Sequence, residues 1–164
     1  MSARRARSWL GSALLMATAA AGADDAPTGP RFGDGAATFA ANCAVCHRAN
    51  GAGQAGLAPP LTGYPARYIG TAQGRRQLVL TLLYGMFGDI VIDERHFNFK
   101  MPDFARFDDA TLAAAINFVV FDLSKGPAGA EPIRPDEVAR ERALPLSGEA
   151  VRKHRAEVLD DKPQ

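Results

Sequence analysis

Two cysteines and a histidine stand close together in the stretch NCAVCHRANGAGQAGLAPPLTG, residues 42–63. Cys43 and Cys46 are the only cysteines of the 164-residue chain, and His47 follows the second one directly. Residues of these types can form a redox-active dithiol, contribute to a zinc site, or attach a prosthetic group through their sulfur atoms. The elements around the motif and the other potential ligands in the chain decide between these three possibilities.

The spacing Cys-x-x-Cys-His favours the attachment of one haem c through two thioethers. Two thiols three positions apart lie on one side of a turn, where they can add to the vinyl groups at one porphyrin edge, and His47 then points at the iron. A thioredoxin-like dithiol precedes its helix, whereas here the helical pattern ends at Cys46. A zinc site needs four ligands, and the remaining histidines, His96 and His154, are far apart and unpaired.

The first 23 residues have the pattern of a secretory signal. Three arginines precede an uncharged stretch from Trp9 to Ala21, and small residues place the expected cleavage before Asp24. A permanent anchor would need about 18–20 apolar residues, and this stretch is shorter. Removal takes three of 19 basic residues and none of 18 acidic ones, which leaves a formal net charge of −2. We expect a periplasmic protein with no stable membrane span and no basic surface for nucleic acid.

A helix is predicted immediately before the motif. Gly35, Phe39 and Cys43 are spaced by four residues, so they share one face of a helix with about 3.6 residues per turn. The segment 48–66 that follows contains repeated glycines and prolines, which indicate a long irregular loop. The motif should therefore lie where a helix passes into this loop.

The rest of the chain is predicted to be helical with one short hairpin. Leucine spacing indicates a helix over 73–84, and alternating apolar residues around a charged turn indicate a β-hairpin within 89–99. Asp108 is the expected N-cap of a last core helix that runs to about residue 123. The C-terminal part is predicted to contain a linker and two charged amphipathic helices, over residues 125–135, 136–143 and 147–159.

Four stretches, GAATFAANCAVCH, APPLTG, KMPDF and DDATLAAAINFV, together resemble the class I cytochromes c. The similarity covers about residues 33–123. It implies an all-α fold of helices packed around one covalently bound haem, here with a short β-hairpin insertion and a C-terminal helical extension. The expected organisation is a signal peptide, a flexible leader, a cytochrome c domain, and a linker with the extension, over residues 1–23, 24–32, 33–125 and 126–164.

The resemblance also implies how the haem is held. Met101 in KMPDF corresponds to the second axial ligand of the family, with His47 as the first, and thioether ligation raises the potential. The N–H of the axial histidine is expected to bond to the backbone carbonyl of Pro59, which fixes the imidazole, and Leu61 is expected to pack on the haem face. An aromatic residue of the last helix, here Phe118, is expected to pack against the glycine and phenylalanine ahead of the motif.

Other residues could also contact the haem, either as axial ligands or through its propionates. Met86 is expected to pack in the core, and His96 is a less favoured alternative ligand in a strand. The haem propionates need donors or solvent, and arginines on a helix usually face solvent. The candidate propionate partners are Tyr64, Arg67, Tyr68, Arg75 and Arg76.

A haem iron with both axial positions filled by protein has no open position for a substrate. The resemblance therefore implies outer-sphere transfer of single electrons. The hairpin and the C-terminal extension also resemble those of small cytochrome c subunits of periplasmic dehydrogenases, so we expect such a dehydrogenase as donor and a terminal oxidase or another cytochrome of the respiratory chain as acceptor. One alternative is a haem enzyme of the peroxidase or thiol oxidase type with a labile sixth ligand; another is a sensing module, which should be fused to an output domain. The hairpin and the C-terminal extension are expected either to bind a partner or to pack on their own domain.

Overall fold

The computed structural model describes residues 29–160, with side chains described up to residue 158. The expected signal peptide and most of the expected leader lie outside the described residues. Within residues 29–160, no helix is long and apolar enough to cross a membrane. The described helices are α1 (Gly33–Asn42), α2 (Ala44–His47), α3 (Ala72–Tyr84), α4 (Asp109–Asn117), α5 (Pro135–Arg142) and α6 (Gly148–Asp160). The described residues also form a 3-10 turn over Pro65–Tyr68 and two strands, β1 (Ile90–Ile92) and β2 (Arg95–Phe97).

The N-terminal helix crosses α4 at a position where only glycine fits. A Cβ atom on Gly35 would overlap the carbonyl oxygen of Ala114 and lie 2.6 Å from its carbonyl carbon. One turn further along α1, the buried ring of Phe39 packs on Phe118, with ring centroids 5.4 Å apart. An aromatic pair of this kind contributes about 0.5–1.5 kcal/mol beyond its buried area. The contacts expected from the family resemblance are confirmed, and they fix the direction in which α1 delivers the Cys-x-x-Cys-His motif.

Helix α4 begins at the predicted cap and ends in a wider turn. The Asp108 side chain accepts a hydrogen bond from the backbone N–H of Thr111 at 2.7 Å, which satisfies one of the free donors of the first turn. After α4 the chain continues as a π-helix over Phe118–Leu123. The Ser124 N–H then donates to the Val119 carbonyl at 2.9 Å. Short π-segments inside helices are rare and often lie near functional sites.

The β-hairpin is confirmed, and it packs on its own domain. β1 and β2 pair antiparallel, with Ile90 opposite Phe97. The turn residues Asp93 and Glu94 have φ values of 48° and 63°, as a two-residue turn that matches strand twist requires. The inward side chains form a small buried cluster, made of Ile90, Ile92 and Phe97.

The segment before α5 has the composition of a linker, yet it is fixed to the core. The Ile133 N–H donates to the Asn117 side-chain oxygen at 2.7 Å, and the Asn117 side-chain N–H donates to the Ile133 carbonyl at 2.9 Å. Both residues are buried. A buried amide that satisfies both backbone groups of one residue holds that residue in a single register.

The two C-terminal helices also pack on the core. The Arg75 guanidinium of α3 bonds to both carboxylate oxygens of Glu137 at 2.9 and 2.6 Å, and Arg76 bonds to Glu141 at 2.9 Å. Arg142 joins α5 to the start of α4 through Asp109 at 2.7 Å. The buried apolar side chains of the extension are Ile133, Val138, Val151 and Val158. Arg75 and Arg76, which the sequence placed either in solvent or at a propionate, therefore anchor the extension.

Candidate cofactor site

A large apolar cavity lies among the motif, the loop after it, α3, the hairpin, the segment around residue 100 and α4. Its empty space is about 1460 Å³, including the open mouth. Among the described residues that line it there is no aspartate or glutamate. The six residues singled out from the sequence all line this cavity: Cys43, Cys46, His47, Pro59, Leu61 and Met101.

The motif is presented at a break between two helices. α1 ends at Asn42, and the Cys43 carbonyl accepts hydrogen bonds from the N–H groups of both Cys46 and His47, at 3.2 and 2.9 Å. The two cysteines are not joined in a disulfide. Burial raises the pKa of the Cys43 thiol to about 11. A reactive dithiol needs a lowered thiol pKa, so the surroundings of Cys43 do not suit that alternative.

The imidazole of His47 is buried and has a defined orientation. Its Nδ1 lies 3.0 Å from the Pro59 carbonyl oxygen. A carbonyl only accepts hydrogen bonds, so Nδ1 carries the proton and Nε2 keeps its lone pair for a metal. Burial also lowers the pKa of His47, which favours the neutral, ligating form. Within the described residues, no three His, Cys, Asp or Glu side chains converge, so the zinc alternative lacks a ligand set.

The loop after the motif is held by contacts that sequence reasoning missed. The Gln54 side chain donates to the carbonyls of Val45 and Cys46, each at 3.0 Å, and thus closes the end of α2. Gly53 has a φ of 71°, and a Cβ there would lie 2.7 Å from the Pro59 oxygen that accepts from His47. The sequence does contain a signal for this loop, because a glycine followed by a polar residue shortly after a helix end is typical of a chain that folds back on the helix.

Two methionines line the cavity, from segments that pair with each other. Met86 and Met101 form an antiparallel bridge, with N–H to carbonyl distances of 3.2 and 2.8 Å in the two directions. Met101 packs against the main core, whereas Met86 packs against the hairpin cluster. Met86, which was expected to pack in the core, therefore also borders the cavity. His96 lies elsewhere, exposed at the surface with its Nδ1 2.8 Å from an Asp89 carboxylate oxygen.

One end of the cavity is polar. The hydroxyls of Tyr64 and Tyr68 lie 3.1 Å apart there, and both residues line the cavity. Arg67 instead lies 3.9 Å from Asp93 on the surface. The arginine that does line the cavity is Arg155 of α6, which sequence reasoning did not select. Its signal was the spacing of Val151, Arg155 and Val158, which places the arginine on the apolar face of its helix.

The residues around this cavity fit a covalently attached porphyrin. Two thiols and a histidine with a free Nε2 stand on its wall, a thioether comes from a second segment, and the lining is mostly apolar. Helices packed around such a site define a haem-binding, helical electron carrier.

Comparison with known proteins agrees with this class. The profile of the family described as Cytochrome c matches residues 32–120. Cytochrome c-552 of Thermus thermophilus is 37% identical over 120 residues, which is 72% of this chain and 91% of the relative. A second cytochrome c-552, from a particular strain of the same species, is also 37% identical over 120 residues, which is 80% of that relative. The chain belongs to the cytochrome c family.

Membership of this family settles the cofactor and the kind of activity. The family binds haem c covalently, and the chain is an electron-transfer protein rather than an enzyme. The peroxidase and thiol oxidase alternatives are therefore not retained. The all-α fold with a short hairpin is confirmed as well. An electron carrier of this kind works with redox partners.

Proposed function

We infer that this protein is a periplasmic cytochrome c that accepts single electrons from a dehydrogenase and passes them to an oxidase or another cytochrome of the respiratory chain. The observation that carries the proposal is the hydrogen bond from His47 Nδ1 to Pro59 on the wall of an apolar cavity. It prepares Nε2 for an iron, because it fixes both the tautomer and the ring orientation.

Each residue of the site has a distinct role in this proposal. Cys43 and Cys46 form the two thioethers, and His47 and Met101 are the axial ligands. The Pro59 carbonyl orients the imidazole, and Leu61 is one of the apolar residues that pack on the haem face. Bound haem c supplies an iron that alternates between the ferric and ferrous states. The apolar lining and a thioether ligand favour the reduced state, because they disfavour the additional charge of ferric iron.

The proposed location follows from the N-terminal sequence. Residues 1–23 have the features of a cleaved export signal, and attachment through Cys-x-x-Cys-His takes place on an unfolded chain outside the cytoplasm. On this proposal the mature protein begins near Asp24, with a cytochrome c domain over 33–125 and the linker and extension over 126–164.

A partner would approach the mouth of the cavity. Two large apolar side chains that line the cavity are also exposed, Val45 to 79% and Phe99 to 60%. An exposed apolar rim of this kind allows a close but transient contact. The formal charge of the chain without its signal is near zero, so long-range steering contributes little to association.

The proposal is tested by isolating the tagged protein from the periplasm of its own host. We expect a dehydrogenase to accompany it and to reduce its haem when the dehydrogenase substrate is added. Val45→Asp and Phe99→Asp should slow this reduction. Leu144→Asp is the matched control, because Leu144 is 63% exposed but does not line the cavity. If instead a membrane-bound complex is the only fraction that reduces the haem, the proposed donor is wrong.

A further inference from the structure

Arg155 lies at the polar end of the cavity although it belongs to the C-terminal extension. Its side chain is buried, with the residue only 7% exposed. The guanidinium carbon lies 5.4 Å from the centre of the Tyr64 ring. Nη2 donates to the Tyr64 hydroxyl and, at 3.4 Å, to the Val91 carbonyl. The guanidinium also forms a hydrogen bond with the Tyr68 hydroxyl. All of these acceptors are neutral, so none of them compensates the charge of Arg155.

Among the described side chains, Arg155 also lacks a counterion. Arg75, Arg76 and Arg142 each pair with a carboxylate, whereas Arg155 has none among the described side chains. Burying an unpaired charge is costly, and buried charges are therefore normally paired. Since no acidic residue among the described ones lines the cavity, the missing anion is expected to come from the molecule that occupies it.

We propose that Arg155 binds a propionate carboxylate of the haem, so that α6 is part of the cofactor site. The planar guanidinium suits a carboxylate, because it can offer two parallel N–H donors. Tyr64 holds the guanidinium through ring stacking and its hydroxyl, and the Tyr68 hydroxyl lies next to that of Tyr64. Lys100, the other cation with a long side chain in the lining, is exposed to solvent. The inference rests on the proposal that haem occupies this cavity.

The rest of the extension holds Arg155 in position. The N-terminal half of α6 packs on the core through Val151, and His154 Nδ1 lies 2.6 Å from the side-chain oxygen of the buried Gln77 of α3. The ion pairs from Arg75 and Arg76 fix α5 on α3 as well. The extension therefore brings a cation from a distant part of the sequence to the haem cavity.

The experiment compares holoprotein variants by potentiometric titration between pH 5 and 8. In Arg155→Gln we expect a lower midpoint potential than in the parent, because an unpaired propionate charge stabilises ferric iron. We also expect a new pH dependence, since the propionate pKa rises once the guanidinium is removed. Arg155→Lys should restore part of the potential. Lys153→Gln removes the same charge from an exposed site on α6, where Lys153 pairs with Glu149, and should change neither property.

Other titratable groups near Arg155 are present in every variant. They are the hydroxyls of Tyr64, just before the 3-10 turn, and of Tyr68, at its end, and the imidazole of His154 on α6. Burial raises the pKa of Tyr68, so its hydroxyl stays protonated over this range. Because Lys153→Gln retains His154, subtracting its pH profile from that of Arg155→Gln removes the contribution of His154.

The proposal is wrong if Arg155→Gln keeps the potential and pH profile of the parent and loses only stability. If that variant does not retain haem, a crystal structure of the parent holoprotein decides. The guanidinium must lie within hydrogen-bond distance of a propionate, and an Arg155 that contacts only Tyr64, Tyr68 and Val91 overturns the proposal. Failure of the proposed function would be recognised separately. It would appear as absence of covalent haem in the parent or absence of reduction by a dehydrogenase.

Discussion

The crossing of α1 and α4 allows a quantitative test of how the motif is positioned. In Gly35→Ala the added Cβ would overlap the Ala114 carbonyl, and its distance of 2.6 Å to the carbonyl carbon is about 0.8 Å short of ordinary contact. The obstacle is backbone, which cannot rotate away as a side chain can. Overpacking of this kind costs up to about 3 kcal/mol, and the helix propensity of alanine offsets about 1 kcal/mol. We expect a net loss of about 2 kcal/mol in the free energy of unfolding.

Gly33→Ala is the matched control for this substitution. Gly33 is also in α1, and a Cβ there would meet nothing within 4 Å. Its variant should be as stable as the parent or more stable by up to about 1 kcal/mol. The assay is guanidinium unfolding of the ferric holoproteins, followed by circular dichroism after equal haem content has been verified. If the free energies of unfolding of Gly35→Ala and Gly33→Ala differ by less than about 0.5 kcal/mol, the usual effect of a surface substitution, the close approach of the two helices does not position the motif.

Three further predictions concern the site and its surroundings. Met101→Ala should keep covalent haem, lose the red ferric absorption band of methionine ligation and lower the potential, whereas Met86→Ala should keep both properties; the opposite result would exchange the roles of the two methionines. Cys46→Ala should reduce haem content and folding yield, measured by haem absorbance per protein, while Val45→Ala should not, and normal haem content in the cysteine variant would contradict covalent attachment through that sulfur. Burial, followed by the charge of Arg76, lowers the pKa of His154 below 6.5. The unfolded chain therefore binds more protons than the folded protein between these two pKa values, so the stability should fall as the pH is lowered below 6.5. His154→Gln should reduce this slope, and an unchanged slope would show that another group causes it.

The features that sequence predicted correctly are those encoded by neighbouring residues. The α1 spacing, the hairpin pattern and the Asp108 cap each involve groups within a few positions of one another, and the structure has them all. The roles of Arg75 and Arg76 could not be predicted in this way, because their partners are 62 and 65 positions further along. An arginine on a helix has the same local pattern whether it faces water or a distant carboxylate.

Sequence separation also decides which parts of the site can be predicted. The attachment motif and its hydrogen-bonded loop lie within about 20 residues, so their chemistry is visible in the sequence. Met86 and Met101 come from different segments and both border the cavity, and their order in the chain does not reveal which one faces iron. Residue type gives the ligand chemistry, and the tertiary fold decides which residue of that type is used.

Arg155 is a residue of the cavity that lies outside the segment matching the family. Residues 32–120 match the cytochrome c family and contain all the residues proposed for attachment and axial ligation. The buried cation at the polar end of the cavity lies outside that range, in a helix that packs on α3. A charge close to the haem acts on the potential, because it changes the relative stability of ferric and ferrous iron. Similarity across the family segment therefore predicts that this chain carries electrons, and on the proposed role of Arg155 the potential at which it does so depends also on a residue of the extension.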